Sequence, residues 1–380
     1  MILDIERAAH GGVCVAHAPD GRVVFVRHAL PGEQVRVEVT EERSSYIRAD
    51  AVEVIAASPD RVVPPCPWAG PGKCGGCDWQ HVSVDAQRRL KATVVAEQLE
   101  RLAKLNWDVT VEPLPAAPDG LHWRTRMRFA VNAAGRAGLR HWRSHVIEPI
   151  DDCLIAVPAA RVPDLIAREW PAGAEVTIDV SSTGERALAI GIRDETITEH
   201  AVGRDWLVPV GGFWQVHVGA ADVLADAVLD FAAPRAGDGC LDLYTGVGLL
   251  AGALATRTVA VTAVESDARA VAAARRNLAD RDVTVVRDRV DRFLHRSEAP
   301  ADVVVLDPPR KGAGREVVEG IAARDPRVVV FVACDPAALA RDLATFADRG
   351  YRLTHLRAFD LFPMTAHVEC VARLTRAPRE

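Results

Sequence analysis

The segments LDLYTGVG (241–248), VVVLDPPRKG (303–312) and FVACDPAALARD (331–342) decide the fold of this chain. Each contains apolar residues typical of a buried strand, and each places polar groups where that strand ends. The carboxyl ends of parallel strands meet at one edge of a sheet, which is where open α/β folds bind ligands. The sequence therefore predicts a parallel sheet with a nucleotide-like pocket that contains a thiol.

Three domains are predicted along the chain, and the fold class is α/β. Residues 206–380 alternate between strand and helix patterns and end in two strands, at 353–359 and 367–374, which complete a seven-stranded Rossmann-like sheet. Residues 1–58 contain short alternating runs without a helix, which is typical of an OB-like β-barrel. Residues 59–205 are expected to form a central α+β domain with a helix over about 83–105.

Composition limits the class of protein. The chain has 380 residues, 49% of them hydrophobic, a net charge of −6 and eight cysteines, too few for a disulfide framework. No apolar run approaches the roughly 18 residues of a membrane span, and the N-terminus lacks a signal-peptide core. We therefore expect a cytoplasmic protein without a membrane partner, and we see no sign of an obligate protein partner.

The turn after the first C-terminal strand has features of a nucleoside pocket. Gly246 and Gly248 allow close approach of the backbone to a ligand, and Glu265 ends the next strand about 20 residues later. An acidic group there hydrogen-bonds ribose hydroxyls in dinucleotide folds. The loop has no third glycine at the expected place, and Asp242 lies at the end of its strand. This pattern suits S-adenosylmethionine, which has a ribose but no pyrophosphate; an ordinary strand–helix turn is the alternative.

A candidate reacting group lies at the end of a later strand. Cys334 follows a buried run and precedes a helix, whose N-terminus is expected to lower the thiol pKa. Asp307 ends the neighbouring strand, so a shared cleft is expected. Glu369 begins the last strand and would, taken alone, be an ordinary solvated residue. The alternative for Cys334 is a buried structural cysteine.

A second group of cysteines has metal-ligand spacing. Cys66, Cys74 and Cys77 form C-x7-C-x2-C, and Cys153 stands alone further along. Two thiolates with two residues between them can bind one metal ion or the iron of a cluster. Zinc and a reduced, empty site are the alternatives to a cluster.

Residues 121–147 contain six arginines and no acidic residue. Alternation places Arg124, Arg126 and Arg128 on one face of a strand, where they would suit phosphate contacts. Arg136, Arg140 and Arg143 follow in the same stretch. The alternative is an ordinary charged strand surface, but the lack of any acid favours RNA binding.

Taken together, DLYTGVG, DPPRKG, CDPAALARD and DLFPMTAHVE (360–369) resemble the RNA 5-methyluridine methyltransferase family, the uracil-C5 enzymes of rRNA and tRNA. FWQVH (213–217) resembles the family's Phe-x-Gln motif, and residues 1–58 resemble a TRAM domain. The resemblance implies these roles: Cys334 as nucleophile, Glu369 as base, Asp307 holding cofactor or base, Gln215, Tyr244 and Glu265 contacting S-adenosylmethionine, and Cys66, Cys74, Cys77 and Cys153 holding a 4Fe–4S cluster.

The implied reaction is methylation of C5 of a uridine in structured RNA, with rRNA favoured over tRNA. A thiolate added at C6 makes C5 nucleophilic enough to take the methyl group. One departure concerns Asp335, because CDP replaces the usual Cys-Asn-Pro and places a charge beside the thiol. The alternatives are a non-catalytic RNA-binding module on a degenerate methyltransferase fold, against which Cys334 and Glu369 argue, and an amino-methyltransferase, which has no use for that cysteine.

Overall fold

A computed structural model describes residues 1–191, 193–256, 259–297 and 301–377. The N-terminal region forms a β-sheet, and no helix lies between its strands. The strands of this N-terminal sheet are β1 (Ile2–Asp4), β2 (Arg7–Ala9), β3 (Val13–His17), β4 (Val23–Arg27), β5 (Gln34–Glu42) and β6 (Tyr46–Ala56). Their order is β1-β5-β6-β4-β3-β2, and only β4 and β6 pair in parallel. Alternating residues such as Val35 and Val37 enter its core. The predicted helix-free β region is confirmed.

The central part of the chain begins with a helix and continues in short strands. Its elements are α1 (Val84–Gln98), β7 (Val111–Glu112), β8 (Arg126–Val131), β9 (Ala137–Arg140), β10 (Ile147–Glu148), α2 (Val162–Ile166), β11 (Glu175–Val180), β12 (Arg186–Ile190), β13 (Thr196–Ala201) and β14 (Arg204–Pro209). A π-helical turn, Leu99–Ala103, extends α1. One five-stranded sheet has the order β10-β9-β8-β11-β12, and β13 and β14 form a separate hairpin.

The C-terminal sheet is the one that the sequence predicts, with one strand added from outside. Its elements are α3 (Ala220–Ala232), β15 (Gly239–Leu243), α4 (Leu249–Leu254), β16 (Ala260–Glu265), α5 (Ala268–Asn277), β17 (Val283–Arg287), α6 (Val290–Arg296), β18 (Val303–Leu306), α7 (Arg315–Ala322), β19 (Val328–Ala333), α8 (Pro336–Asp348), β20 (Tyr351–Phe359) and β21 (Glu369–Arg376). Strand order is β17-β16-β15-β18-β19-β21-β20-β7. The two-residue strand β7 and the short, charged helix α6 lacked the periodicity needed for prediction.

Helix α1 lies between the N-terminal and C-terminal sheets and packs on both. Val94 belongs to the core of the N-terminal sheet. Val95, one position along and about 100° around the helix, enters the core of the C-terminal sheet together with Leu99. The helix therefore joins the two sheets through adjacent faces. Among the described residues, no helix is both long and apolar enough to cross a membrane.

A buried ion pair anchors α1 to the loop that precedes β21. The Lys91 Nζ lies 2.5 Å from the Asp360 Oδ1 and also donates to the Phe362 carbonyl at 3.1 Å. Neither side chain of the pair is more than 2% exposed. Burial lowers the pKa of Lys91, while the charge of Asp360 opposes that shift. Removal of one partner would leave the other buried and unpaired, which is the costly case for a buried pair.

We expect Lys91→Met to destabilise the protein by about 3–5 kcal/mol, because Asp360 loses its counter-charge without gaining access to water. Thermal and urea unfolding measure the effect. The control is Arg7→Ala, which removes an ion pair with Glu97 on the same helix; Arg7 is 48% exposed, and its loss is expected to cost less than about 1 kcal/mol. Equal losses in the two variants would show that the buried pair does not anchor the loop.

Candidate active site

Cys334, Glu369 and Asp307 meet at the carboxyl edge of the C-terminal sheet. Asp307 directly follows β18, and Cys334 directly follows β19. Strand β21 runs antiparallel to β19 with Ala333 opposite Cys370, so Glu369 lies opposite Cys334. The sheet register therefore adds Glu369 to Asp307 and Cys334, the two groups for which the sequence predicts a shared cleft.

Burial raises the pKa of both carboxyl groups of this cleft. Glu369 is 4% exposed, and its Oε1 has no hydrogen-bond partner among the described residues. Burial raises the pKa of Glu369 well above that of an ordinary glutamate, the charge of Asp307 raises it further, and Arg310 acts in the opposite direction. Burial also raises the pKa of Asp307 to about 7, with a contribution from Asp242. Unpaired carboxyls in a dry site favour their neutral form.

The thiol of Cys334 is protonated in the free protein, contrary to the expectation of a thiolate. Burial raises its pKa to about 12, and the charges of Glu369 and Asp307 add to the shift. Arg310 opposes the shift, and Asp335 contributes to it. Helix α8 begins only at Pro336, after the cap residue Asp335. Burial, with the acids around the thiol, raises the pKa of Cys334 although a helix N-terminus lies next to it.

The turn after β15 contains a buried acid and a strained tyrosine. Asp242 is completely buried; its Oδ2 accepts from the Thr245 hydroxyl, and its Oδ1 has no partner among the described residues. Burial raises the pKa of Asp242 to about 7. Tyr244 has a φ of 66°, in the left-handed region that non-glycine residues rarely adopt. Such strain clusters at ligand-binding turns.

Glu265 is fixed beside this turn at the end of β16. Its Oε2 accepts from the Gly246 N–H at 3.1 Å, and its Oε1 accepts from Ser266 and Asp267 N–H groups at 2.6 and 2.8 Å. These bonds hold the carboxylate at the mouth of the turn, where it can accept from ribose hydroxyls. Gly246 has a φ of 57°, which a glycine adopts without strain.

Gln215 lies on a different segment from the other proposed cofactor residues. It is partly exposed, and its amide forms no hydrogen bond with the described part of the chain. Its segment runs beside Arg124 and Thr125, since the Thr125 N–H donates to the Val216 carbonyl at 2.8 Å. Within the described residues, no hydrogen bond joins Gln215 to Tyr244 or to Glu265.

The four candidate metal-binding cysteines line one cavity. The cavity has a volume of about 140 Å³ and is otherwise mostly apolar; its cysteines are Cys66, Cys74, Cys77 and Cys153. Burial raises the pKa of the thiols of Cys77 and Cys153 above that of a free cysteine. Within residues 1–191, 193–256, 259–297 and 301–377, however, no three or more His, Cys, Asp or Glu side chains are arranged to hold a metal ion. The central α+β architecture is present, but its description as an iron–sulfur domain is not supported by a preformed metal site.

The prediction that Arg124, Arg126 and Arg128 share a phosphate-binding face is wrong. Arg126 is buried, and its guanidinium lies 3.0 Å from Glu199 and 3.4 Å from Asp179. Arg124 lines the cysteine cavity and donates to the Arg126 carbonyl at 3.0 Å. Only Arg128 is exposed. The acids that neutralise Arg126 come from β11 and β13, which the local sequence could not reveal.

One charged residue of the site was not singled out from the sequence. Arg310 is exposed and acts electrostatically on Cys334 and on Glu369, favouring the charged form of each. Its position three residues after Asp307, within DPPRKG, is the signal that could have identified it.

Comparisons with known proteins agree with the fold. Residues 288–377 match the tRNA (uracil-5-)-methyltransferase family, residues 219–325 the methyltransferase small domain, and residues 3–52 the TRAM domain. An uncharacterised RNA methyltransferase of Streptomyces coelicolor is 47% identical and covers 99% of this chain and 93% of the relative. Another, from Bifidobacterium longum, is 38% identical and covers 98% of this chain and 96% of the relative.

A solved structure is similar along nearly the whole chain. It is the Pyrococcus abyssi tRNA (uracil-54, C5)-methyltransferase in complex with S-adenosyl-L-homocysteine, with a TM-score of 0.74, 23% sequence identity and coverage of 98% of this chain and 99% of that one. At this identity the likeness shows the fold: an α/β methyltransferase sheet preceded by a β-rich N-terminal region. The chain belongs to the RNA (uracil-5-)-methyltransferase family and is an S-adenosylmethionine-dependent RNA methyltransferase with an N-terminal TRAM domain.

Proposed function

We propose that this enzyme methylates C5 of one uridine in a structured RNA through a covalent adduct between Cys334 and C6 of the uracil. The observation that carries the proposal is the register of β19 and β21: Ala333 pairs with Cys370, so Cys334, the proposed nucleophile, lies opposite Glu369, the proposed base. Asp307, at the end of the adjacent strand β18, closes the group. The target uracil has to leave its stack to enter such a cleft.

Starting from the Cys334 thiolate, the bond changes at the uracil ring can be followed step by step. The sulfur of Cys334 forms a bond to C6, and the electron pair of the C5–C6 double bond moves to form an enolate. C5 then takes the methyl group from S-adenosylmethionine. The bond between that methyl carbon and the sulfonium sulfur breaks, and S-adenosylhomocysteine is the product. Glu369 takes the C5 proton, the double bond re-forms, and the C6–S bond breaks to release the thiolate.

The first steps of the proposed reaction require Cys334 and Glu369 in their ionised forms, which the free protein disfavours. A thiol must lose its proton before attack, and Glu369 must be ionised before it can act as a base. Arg310 favours both ionisations. When bound, S-adenosylmethionine supplies the methyl group on a sulfonium cation, whose charge favours ionised acids close to it. Gln215, Tyr244, Glu265 and Asp307 are the residues that we propose hold this donor.

The RNA contacts are assigned to the first two of the three proposed domains, 1–58, 59–205 and 206–380. Exposed arginines remain in the central domain for phosphate contacts, namely Arg128, Arg136, Arg140 and Arg143. The matched family and the P. abyssi protein are both described by tRNA. The preference for rRNA stays a prediction, which trapping on both classes of RNA can decide.

We also propose that Cys66, Cys74, Cys77 and Cys153 hold a 4Fe–4S cluster. Support comes from the cavity that these four thiols share, and from the arginine Arg124 that lines it and would balance thiolate charge. Buried thiols ionise when they ligate iron. The cluster has no assigned part in the methyl transfer.

RNA containing 5-fluorouridine should trap the enzyme, because the adduct at C6 forms but fluorine at C5 cannot leave as a proton. With S-adenosylmethionine, a denaturation-resistant protein–RNA complex is expected, forming faster as pH rises because the pKa of Cys334 lies far above neutrality. Parallel reactions with rRNA and tRNA identify the target class. Cys334→Ala should abolish the complex and Cys370→Ala should preserve it. A wild-type enzyme that binds RNA without trapping would favour the non-catalytic alternative.

Glu369→Gln should transfer the methyl group and then stall, because an amide cannot accept the C5 proton. We expect a methylated RNA–protein adduct on unmodified RNA that survives denaturation, with turnover reduced by roughly 100-fold or more. Gel electrophoresis and mass spectrometry of the adduct measure this. Glu316→Gln, at an exposed position on α7, is the matched control. Normal turnover by the Glu369 variant would place the base elsewhere.

Anaerobically purified protein should be brown and contain about four irons per chain, as expected of a Cys₄-ligated cluster. Cys74→Ser and Cys153→Ser should each reduce the iron content and the visible absorbance. Cys14→Ala is the control, because Cys14 is buried in the N-terminal sheet, where its thiol donates to the Ala29 carbonyl at 3.2 Å. Colourless protein with one zinc, or with no metal, would contradict the cluster.

A further inference from the structure

A turn of the N-terminal sheet reaches the edge of the catalytic cleft. Residues 10–12 connect β2 and β3. Gly12 is so close to neighbouring segments that an added Cβ would lie 2.9 Å from the Asp78 side chain and 3.1 Å from the Ala366 Cβ. Ala366 belongs to the loop that leads into Glu369. Gly12 is therefore packed against the wall of the cleft, whereas His10 and Gly11 are exposed.

The same turn brings the side chain of His10 into contact with Asp335, the residue that follows Cys334. The His10 Nε2 lies 3.0 Å from the Asp335 Oδ2. The other carboxylate oxygen of Asp335 accepts from the Ala338 N–H at 2.8 Å and caps helix α8. Both oxygens of Asp335 are thus occupied, one by its own helix and one by a residue more than 300 positions earlier in the chain.

Asp335 differs from the other two acids near Cys334 in the direction of its pKa shift. Burial raises the pKa of both Asp307 and Glu369, so these two favour the neutral form. Burial acts in the same direction on Asp335, but hydrogen bonds from His10 and from the Ala338 N–H outweigh it and lower the pKa of Asp335. A fixed negative charge beside the thiol opposes its ionisation.

We propose that His10 is a positioning residue for the nucleophile, holding the Asp335 carboxylate in the helix cap and offsetting its charge so that Cys334 can ionise. The inference rests on the proposed role of Cys334. It assigns to the N-terminal sheet a part in the catalytic cleft, in addition to any contact with RNA. It also accounts for the aspartate that stands where the family pattern has asparagine, since a neutral amide needs no such partner.

The charged groups around Cys334 and Asp335 show which side chain can offset the charge of Asp335. Cys334 is faced by the acids Glu369, Asp307 and Asp335 and by the cation Arg310. Asp335 is faced by His10 and, more weakly, by Arg341 on its own helix. Within the described residues, His10 is the side chain that forms a hydrogen bond with the Asp335 carboxylate.

The test measures the rate at which iodoacetamide alkylates Cys334 in the full-length protein, over a range of pH, by peptide mass spectrometry. His10→Ala should slow alkylation at neutral pH by roughly twofold to tenfold and move the pH profile to higher pH. Asp335→Asn should speed it, because asparagine retains the helix cap without the charge. In the Asp335→Asn background, His10→Ala should have no further effect.

The control is His17→Ala, which removes a comparably exposed histidine–carboxylate pair with Glu6, inside the N-terminal sheet. Its alkylation profile should match the wild type, and thermal unfolding should show that every variant is folded. An unchanged profile for His10→Ala, or an equal slowing in both backgrounds, would overturn the inference. Failure of the proposed function itself is seen separately, as a wild-type enzyme that does not trap fluorouridine RNA.

Discussion

The dry edge of the C-terminal sheet, where acids and a thiol share one cleft, is the constraint on which the rest of the structure depends. Asp242, Asp307 and Glu369 are all shifted toward their neutral forms by burial. Burial also opposes ionisation of Cys334, and the charges of Glu369 and Asp307 add to that opposition. Such a set of groups is unfavourable to bring together. It persists because the strand register, which is fixed by a large apolar core, leaves the side chains no other place.

The loop before Glu369 is held from outside the methyltransferase sheet. The Gln87 side chain accepts from the Met364 N–H at 2.8 Å, and the Trp79 N–H donates to the Met364 carbonyl at 3.0 Å. Asp78, which directly follows the last cysteine of CGGC, accepts from the Ala366 N–H at 3.2 Å. The segment that contains the cysteines therefore contacts the loop that positions the base, so disorder in one would loosen the other.

Some arginines of residues 121–147 form contacts inside the protein, whereas others are exposed at its surface. Arg126 pairs with two buried acids. The Trp142 ring contacts two guanidinium groups, that of Arg27 in the N-terminal sheet at 4.3 Å from the ring centre and that of Arg143 at 4.6 Å. This group of contacts ties the first sheet to the second. Its location explains why a run of positive charge without any nearby acid in sequence need not be a continuous RNA-binding face: the compensating acids come from other strands.

The sequence by itself determined most of the strand–helix alternation in residues 206–380, the helix-free N-terminal region, and the shared sheet edge of Asp307 and Cys334, because period, turn residues and strand ends are local properties. Local pattern did not place Glu369 beside them: its role came from the family resemblance, and its position follows from the pairing of β19 with β21. Tertiary structure alone decided three further points: the protonated state of Cys334, the burial of Arg126 and the contact between His10 and Asp335. Each depends on groups that are distant in the chain. Desolvation and ion pairing are set by what packs around a residue, and no local pattern contains that information.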